Sequence, residues 1–359
     1  MTLATETSPK SLAAPRRERL LAIIDRLGGW LAAFGLGWVS PILKILAGDN
    51  PREHLPALRD GLLLPLCGIG LFLLAWAMLA PQVQTSLGAI PGPAQVWQQA
   101  TGLWEDHLAE RQKQADFYAR QDKHNAELTA AGETDKVKWR PYAGQPTYID
   151  QIFTSLRTVG FGFVIATLIA VPLGIASGLS KTVNGAINPL VQLFKPVSPL
   201  AWLPIVTMVV SAVYVDASDA LPKSLVISAV TVTLCSLWPT LINTALGVAS
   251  IDKDLINVGK VLQLSTFTTI RKLVLPSALP LIFTGLRLSL GVGWMVLIAA
   301  EMLAQNPGLG KFVWDEFQNG SSNSLARIMV AVLTIGIIGF VLDRIMLALQ
   351  SAFTFSSTR

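Results

Sequence analysis

The chain has 359 residues, 52% of them hydrophobic and only 14% charged. Soluble domains carry about 25% charged residues, so this composition excludes a water-soluble domain, and a mean hydropathy of +0.51 points to an integral membrane protein. The net charge of +5 is small and reports topology rather than a nucleic-acid partner. The first 19 residues are rich in Ser, Thr, Pro and Arg and read as a disordered cytoplasmic tail. Their apolar residues are spaced rather than blocked, which does not fit a cleavable signal peptide. From Leu20 to Leu46, large apolar residues fall at Leu20, Ile24, Leu27, Leu31, Phe34, Trp38, Ile42 and Ile45. Spacings of three and four predict one helical face, lying in the membrane interface or, as the rival, forming a first span. Residues 1–60 are thus read as tail and interfacial helix.

A spanning helix needs roughly 20 consecutive apolar residues. Six windows qualify between residues 61 and 350: Gly61–Ala80, Val159–Leu179, Val197–Val215, Leu225–Ala249, Ala278–Leu303 and Ala326–Leu349. Between the first two lies a polar insert over 82–148, whose intermixed charges at 105–140 predict a solvated loop with one or two helices. Residues 351–359 form a short tail. Lys10, Arg16, Arg17, Arg19 and Arg26, then Lys181 and Lys195, then Lys253, Lys260, Arg271 and Lys272 all fall on one side of a six-span chain. Positive charge accumulates in the cytoplasm, so both termini are expected there, in a bacterial inner membrane, with the insert outside.

The chain lacks a G-x-x-x-x-G-K-[ST] phosphate loop: Asp254 and Gln305 stand where Gly259–Lys260 and Gly310–Lys311 would need a glycine. The spans carry no chain of Asp, Glu and His to relay protons. Cys67 and Cys235 sit in apolar runs and read as buried small hydrophobes, while His54, His107 and His124 are isolated. No nucleophile, base or metal-ligand cluster points to an enzyme.

Residues 250–276 interrupt the apolar sequence with mixed charge. Leu255, Val258 and Leu262 share a face of one short helix; Ser265 is placed to cap a second, which Pro276 is expected to end. Such a cytoplasmic helix pair is either an ordinary connection or a docking knob. The stretch resembles the coupling loop of permease subunits of ABC importers, which reads Glu-Ala-Ala, three residues, Gly, nine residues, Ile-x-Leu-Pro. Leu273 and Pro276 match its ending; Asn257, Val258 and Gly259 replace Glu-Ala-Ala, and Gln263 replaces the glycine. Further stretches are similar to the nitrate, bicarbonate and cyanate branch, with sulfonate and taurine permeases related: Pro91–Gln98, Val197–Ile205, Leu275–Leu303 and Gly308–Gly320.

The resemblance implies an all-α, six-span type I importer domain, working as a homodimer with two cytoplasmic ATPase subunits and a periplasmic or lipid-anchored binding protein. ATP and magnesium would belong to the ATPases; the chain itself would bind no cofactor. Asn257, Val258, Gly259, Leu262, Gln263, Leu273 and Pro276 would carry the coupling. Nitrate is the expected cargo, with nitrite beside it; bicarbonate, cyanate and alkyl sulfonates are alternatives, and a gradient-driven transporter is the rival class. Thr233, Ser236, Thr240 and Asn243 form a polar stripe on the fourth span, fit either for an anion pathway or for gluing helices together. Arg287 and Glu301 are 14 residues, about 21 Å, apart on the fifth span. Arg287 either draws anions to the inner mouth or braces the loop helices, and Glu301 either lines the path or fixes an outer loop.

Overall fold

The computed structural model describes residues 21, 23–25, 28–29, 31, 35–85, 88–214, 221–321 and 323–353. They form two compact units, one made of the residues up to Leu74 with those from Leu347 onward, the other Ala75–Met346.

In the first unit, most of the predicted interfacial helix before Gly35 lies outside the described residues. Gly35 takes a left-handed φ of +78°, and a turn follows it, so the apolar periodicity of Leu20–Leu46 does not run through one unbroken helix. Helix α1 (Val39–Leu46) is the part that remains. Helix α2 (Pro51–Leu58) starts where Asn50 accepts a hydrogen bond from the Arg52 amide and Pro51 needs none. A π turn over Arg59–Leu63 carries α2 into α3 (Leu64–Leu79), which makes one candidate span of Pro51–Gln82. It begins ten residues before Gly61. None of its apolar window is buried, the pattern of a helix clothed by lipid. Cys67 is therefore exposed rather than buried, and Cys235 is half-buried: an apolar neighbourhood in sequence does not say whether protein or lipid supplies it.

In the second unit, a short hairpin pairs β1 (Gln84–Thr85) with β2 (Gly88–Ala89), Gln84 opposite Ala89. The polar insert is dominated by one helix, α4 (Pro93–Ala130), rich in Ala, Gln, Glu, Lys and Arg, all strong helix formers. The chain then returns along it. Asn125 Nδ2 donates to the Lys138 carbonyl (3.1 Å), the Arg140 amide donates to Gln121 (2.8 Å), and Tyr142 donates its hydroxyl to Glu110 (2.7 Å).

Thr147 caps α5 (Tyr148–Leu179), and Ser180 caps α6 (Lys181–Phe194). Helix α7 (Pro199–Val213) follows at a bend of 103° to α6. At 15 residues α7 is about 22 Å long, short of a roughly 30 Å hydrocarbon layer. The described residues thus offer five spanning helices, or six if this bent pair counts as one. Helix α8 (Lys223–Ala249) is the hub: 61% of its apolar window is buried, between α5 and α11 (Leu275–Ala304). Small residues permit that closeness. A Cβ at Gly162 of α5 would lie 2.8 Å from the Ala229 carbonyl, and one at Gly285 of α11 would lie 2.9 Å from Thr240 Cα. The remaining helices are α9 (Lys253–Val261), α10 (Thr266–Thr269), α12 (Leu309–Asn319) and α13 (Ser324–Phe353).

Candidate functional site

Residues 250–276 form a helical elbow. Asp252 caps α9 by accepting from the Asp254 amide (2.9 Å). The helix ends with the Gln263 amide bonded to the Lys260 carbonyl (3.0 Å) and the Leu264 amide bonded to Gly259 (3.0 Å). These are the two bonds of a Schellman ending, whose left-handed residue is ordinarily glycine. Here it is Gln263, at φ +50°. The left-handed region costs a non-glycine residue about 1–2 kcal/mol, which explains physically why the related motif places Gly at this point.

Gly259 is buried, and a Cβ there would approach Leu273 Cδ1 to 3.0 Å, so two of the expected coupling residues meet. Val258, Val261, Leu262 and Phe267 instead point outward, 50–82% exposed. Asn257, Gln263 and Pro276 are also exposed, and Leu273 is half-buried.

Pro276 does not end the second helix. Ser265 caps α10 through the Thr268 amide (3.3 Å), and α10 continues through a π turn at Ile270–Val274 directly into α11. Thr266–Ala304 is one helix of 39 residues. In a regular α-helix the proline ring would strike the Lys272 carbonyl; the wider π turn opens the backbone there. Of the outward apolar residues, Phe267 thus lies on the spanning helix itself, while Val258, Val261 and Leu262 lie on α9 and its end, before the Gln263 turn.

The polar stripe of α8 is turned mainly into helix contacts. Thr233 donates to the Gly162 carbonyl (3.0 Å) and to the Ala229 carbonyl (2.8 Å). Thr240 donates to Ser289 through both its hydroxyl (2.7 Å) and its amide (3.0 Å). Ser236 is fully buried, facing Gly293. Asn243, which donates to the Pro239 carbonyl (2.8 Å), is half-buried.

Arg287 is not a free cation. Its guanidinium forks onto Asp343 of α13, with Nη2 to Oδ2 at 3.0 Å, and Arg344 adds a second positive charge at 3.5 Å from Asp343. Asp343 was not legible as a site; its signal is that of a lone acid in the apolar run of the last helix.

Glu301 is wholly buried at the other end of α11. Ser155 of α5 donates to both carboxylate oxygens (2.9 and 2.8 Å), and the Gly310 amide at the start of α12 donates to Oε2 (3.0 Å). The Leu309 amide in turn donates to Ser155 Oγ (2.9 Å). A Cβ on Gly308 would fall on the Glu301 carboxylate, and one on Gly310 would fall on the Ile298 carbonyl. The glycine-rich Gly308–Phe312 stretch is thus the lid of a buried carboxylate, and it leads into a helix. The arrangement offers packing, ion pairing and an outward apolar face.

Known proteins agree with that reading. The family model described as binding-protein-dependent transport system inner membrane component matches residues 170–354. The bicarbonate transport system permease protein CmpB of Synechococcus elongatus is 36% identical over 81% of this chain and 89% of its own length. The nitrate import permease protein NrtB of the same organism is 34% identical over 58% of this chain and 74% of its own. A chain of the MetNI methionine ABC transporter, solved in inward facing conformations, shares the fold: TM-score 0.50 at 13% identity, over 58% of this chain and 96% of that one. A helical membrane bundle with an outward apolar elbow thus has its place: this chain belongs to the binding-protein-dependent ABC transport permeases, in the group that holds nitrate and bicarbonate permeases.

Proposed function

We propose that the chain is the permease subunit of an ATP-driven importer that moves a small inorganic anion, nitrate, across a bacterial inner membrane. Two copies form the pathway, with both termini in the cytoplasm. A binding protein delivers the anion from the periplasm, and two ATPase subunits, holding ATP and magnesium, dock on the elbow from about Asp254 to Leu275. The supporting observation is the outward face of Val258, Val261, Leu262 and Phe267, with Gly259 of α9 packed on Leu273 of the helix that becomes α11. Four large apolar side chains exposed together mark a contact surface. Motion imposed on Phe267 passes along one helix into the membrane, and motion imposed on α9 reaches that helix through the Gly259–Leu273 contact. Of the polar stripe, Asn243 is the residue still partly open to a pathway, while Thr233 and Thr240 hydrogen-bond α8 to its neighbours and Ser236 is buried against Gly293.

A charge inside an apolar contact is left desolvated, at a cost of several kcal/mol, roughly. Val258→Glu or Leu262→Asp should therefore insert normally yet fail to co-purify with the ATPase. Full co-purification with retained uptake would overturn the docking role. Bicarbonate is the second reading, because the bicarbonate permeases align over 81–83% of this chain and the nitrate permeases over 54–58%. ATP-driven uptake of labelled nitrate against labelled bicarbonate, by the reconstituted complex, separates the two.

A further inference from the structure

A cavity of about 490 Å³ opens between α6 and α8. The two helices touch only over part of their length. Ile187 and Val191 pack on Leu241, and the Phe194 ring stacks on Trp238 with centroids 6.3 Å apart, which closes one end. Toward the start of α6 they diverge. One wall there is apolar, with Leu241 and Ala245 of α8; the other carries Ser177, Lys181, Asn184 and Asn188. Lys181, Asn184 and Asn188 recur at three and four residues, on one face of α6.

The chemistry of that wall is one-sided. Ser177 donates its hydroxyl to Asn184 Oδ1 (2.9 Å), so the acceptor of Asn184 is occupied and its NH₂ group is what remains to offer. Lys181 brings three further donors and a positive charge, and forms no ion pair among the described residues. Among the described residues no carboxylate lines the cavity. A donor-rich wall with one cation, opposite an apolar wall, suits a small weakly hydrated monoanion rather than a cation or a neutral solute. The opening lies at the elbow's end of the bundle, where Ile270 shares an apolar cleft with Leu179 and Val183.

We propose that this cavity is a monoanion-binding station on the elbow's side of the permease, with Lys181 and Asn188 as its ligands and Asn184, held by Ser177, as a third donor. The identity of its natural occupant rests on the anion-importer reading: either the translocated oxyanion on its way out, or the headgroup of an anionic lipid, which presents the same charge.

Two measurements on the full complex test it. In the first, Cys67 and Cys235 are replaced by Ser, Asn188→Cys is introduced, and its reaction rates with an anionic sulfonatoethyl and a cationic trimethylammonium methanethiosulfonate are compared. Lys181→Gln should lower the anionic-to-cationic rate ratio by about fourfold, about twofold for each reagent in opposite directions, the worth of one charge about 10 Å away in water; Lys181→Arg should hold it. An unchanged ratio overturns the station, whatever the complex transports. In the second, ATP-driven uptake is measured in liposomes of phosphatidylcholine alone and with phosphatidylglycerol added. A fall with Lys181→Gln in both lipids identifies the translocated oxyanion. A fall only with phosphatidylglycerol identifies the headgroup, and no fall in either overturns the station. Lack of oxyanion uptake by the unmodified complex would instead count against the transport reading and leave the rate ratio to decide the station.

Discussion

The two ends of α11 are finished in opposite ways. At one end the helix runs out through a π turn into an elbow whose large apolar side chains face outward, and whose tight turn is carried by a strained Gln263. At the other, a fully buried carboxylate collects donors from Ser155 and Gly310, and two glycines leave room for nothing else. A complete polar knot needs no partner, while an exposed apolar elbow is stable in water only when something covers it.

The largest expected effect comes from the knot. Glu301→Leu strands the Ser155 hydroxyl and the Gly310 amide in a dry site, a loss of about 3 kcal/mol. Thermal unfolding of the detergent-solubilised permease should fall accordingly, and Gly308→Ala, which drives a methyl onto the same carboxylate, should fall with it. If both variants melted like the parent, the Glu301 end of α11 would be no more fixed than the elbow.

Next in size is the Arg287–Asp343 pair, which joins α11 to α13 between these ends. Both partners are about one third exposed, so solvent screening holds the pair to about 1 kcal/mol. Arg287→Gln and Asp343→Asn should each destabilise by about that amount, and the double variant by less than their sum. Strict additivity in such a double-mutant cycle would show that the two side chains act separately.

Gln263→Gly changes the sign. Removing the left-handed penalty should stabilise the elbow by about 1 kcal/mol, less the extra freedom glycine gains in the unfolded chain. Slower amide exchange of Leu262–Leu264 with unchanged exchange around Glu301 would localise the gain to the unfinished end.

The smallest effect lies in the polar insert, where the chain after α4 returns along it. Accepting from the Tyr142 hydroxyl, then from Lys113, lowers the Glu110 carboxyl below its ordinary range, and the same bond to Glu110 raises the Tyr142 phenol. A lowered acid contributes stability above its unfolded value and loses it as pH falls through the folded one. A raised phenol contributes below its unfolded value and loses it as pH rises through the folded one. Protection of residues 137–147 along α4 should be flat from about pH 5 to 9 and weaken at both extremes. Tyr142→Phe should abolish that dependence; an unaltered profile in the variant would assign the protection to other bonds of the strap.

Most spans were readable because lipid leaves no alternative to a long apolar helix. The helical elbow was readable from the spacing of Leu255, Val258 and Leu262 and from Ser265, a residue type favoured at helix N-caps. The continuation through Pro276 was not, since local rules stop a helix at proline and only the π turn shows how it passes. Third-span length was misjudged for the opposite reason: hydropathy over Val197–Val215 does not register the bend before Pro199. The partnership of Arg287 with Asp343, and the inward turn of Thr233 and Thr240, depend on which helices are neighbours, and no periodicity within one helix holds that information.

A helix that never breaks transmits phase as well as force. From Phe267 to Trp294 each residue fixes the angular position of the next, at about 100° per step. Deleting one residue between Thr269 and Pro276 would therefore swing Phe267 by roughly 100° around the axis of α11 while leaving every remaining side chain unchanged. A pair of deletions would return it to neither its starting face nor its starting height. The elbow is thus specified by count as much as by composition, and the π turn, one residue wider than its surroundings, sets where on the circle the apolar face comes to rest.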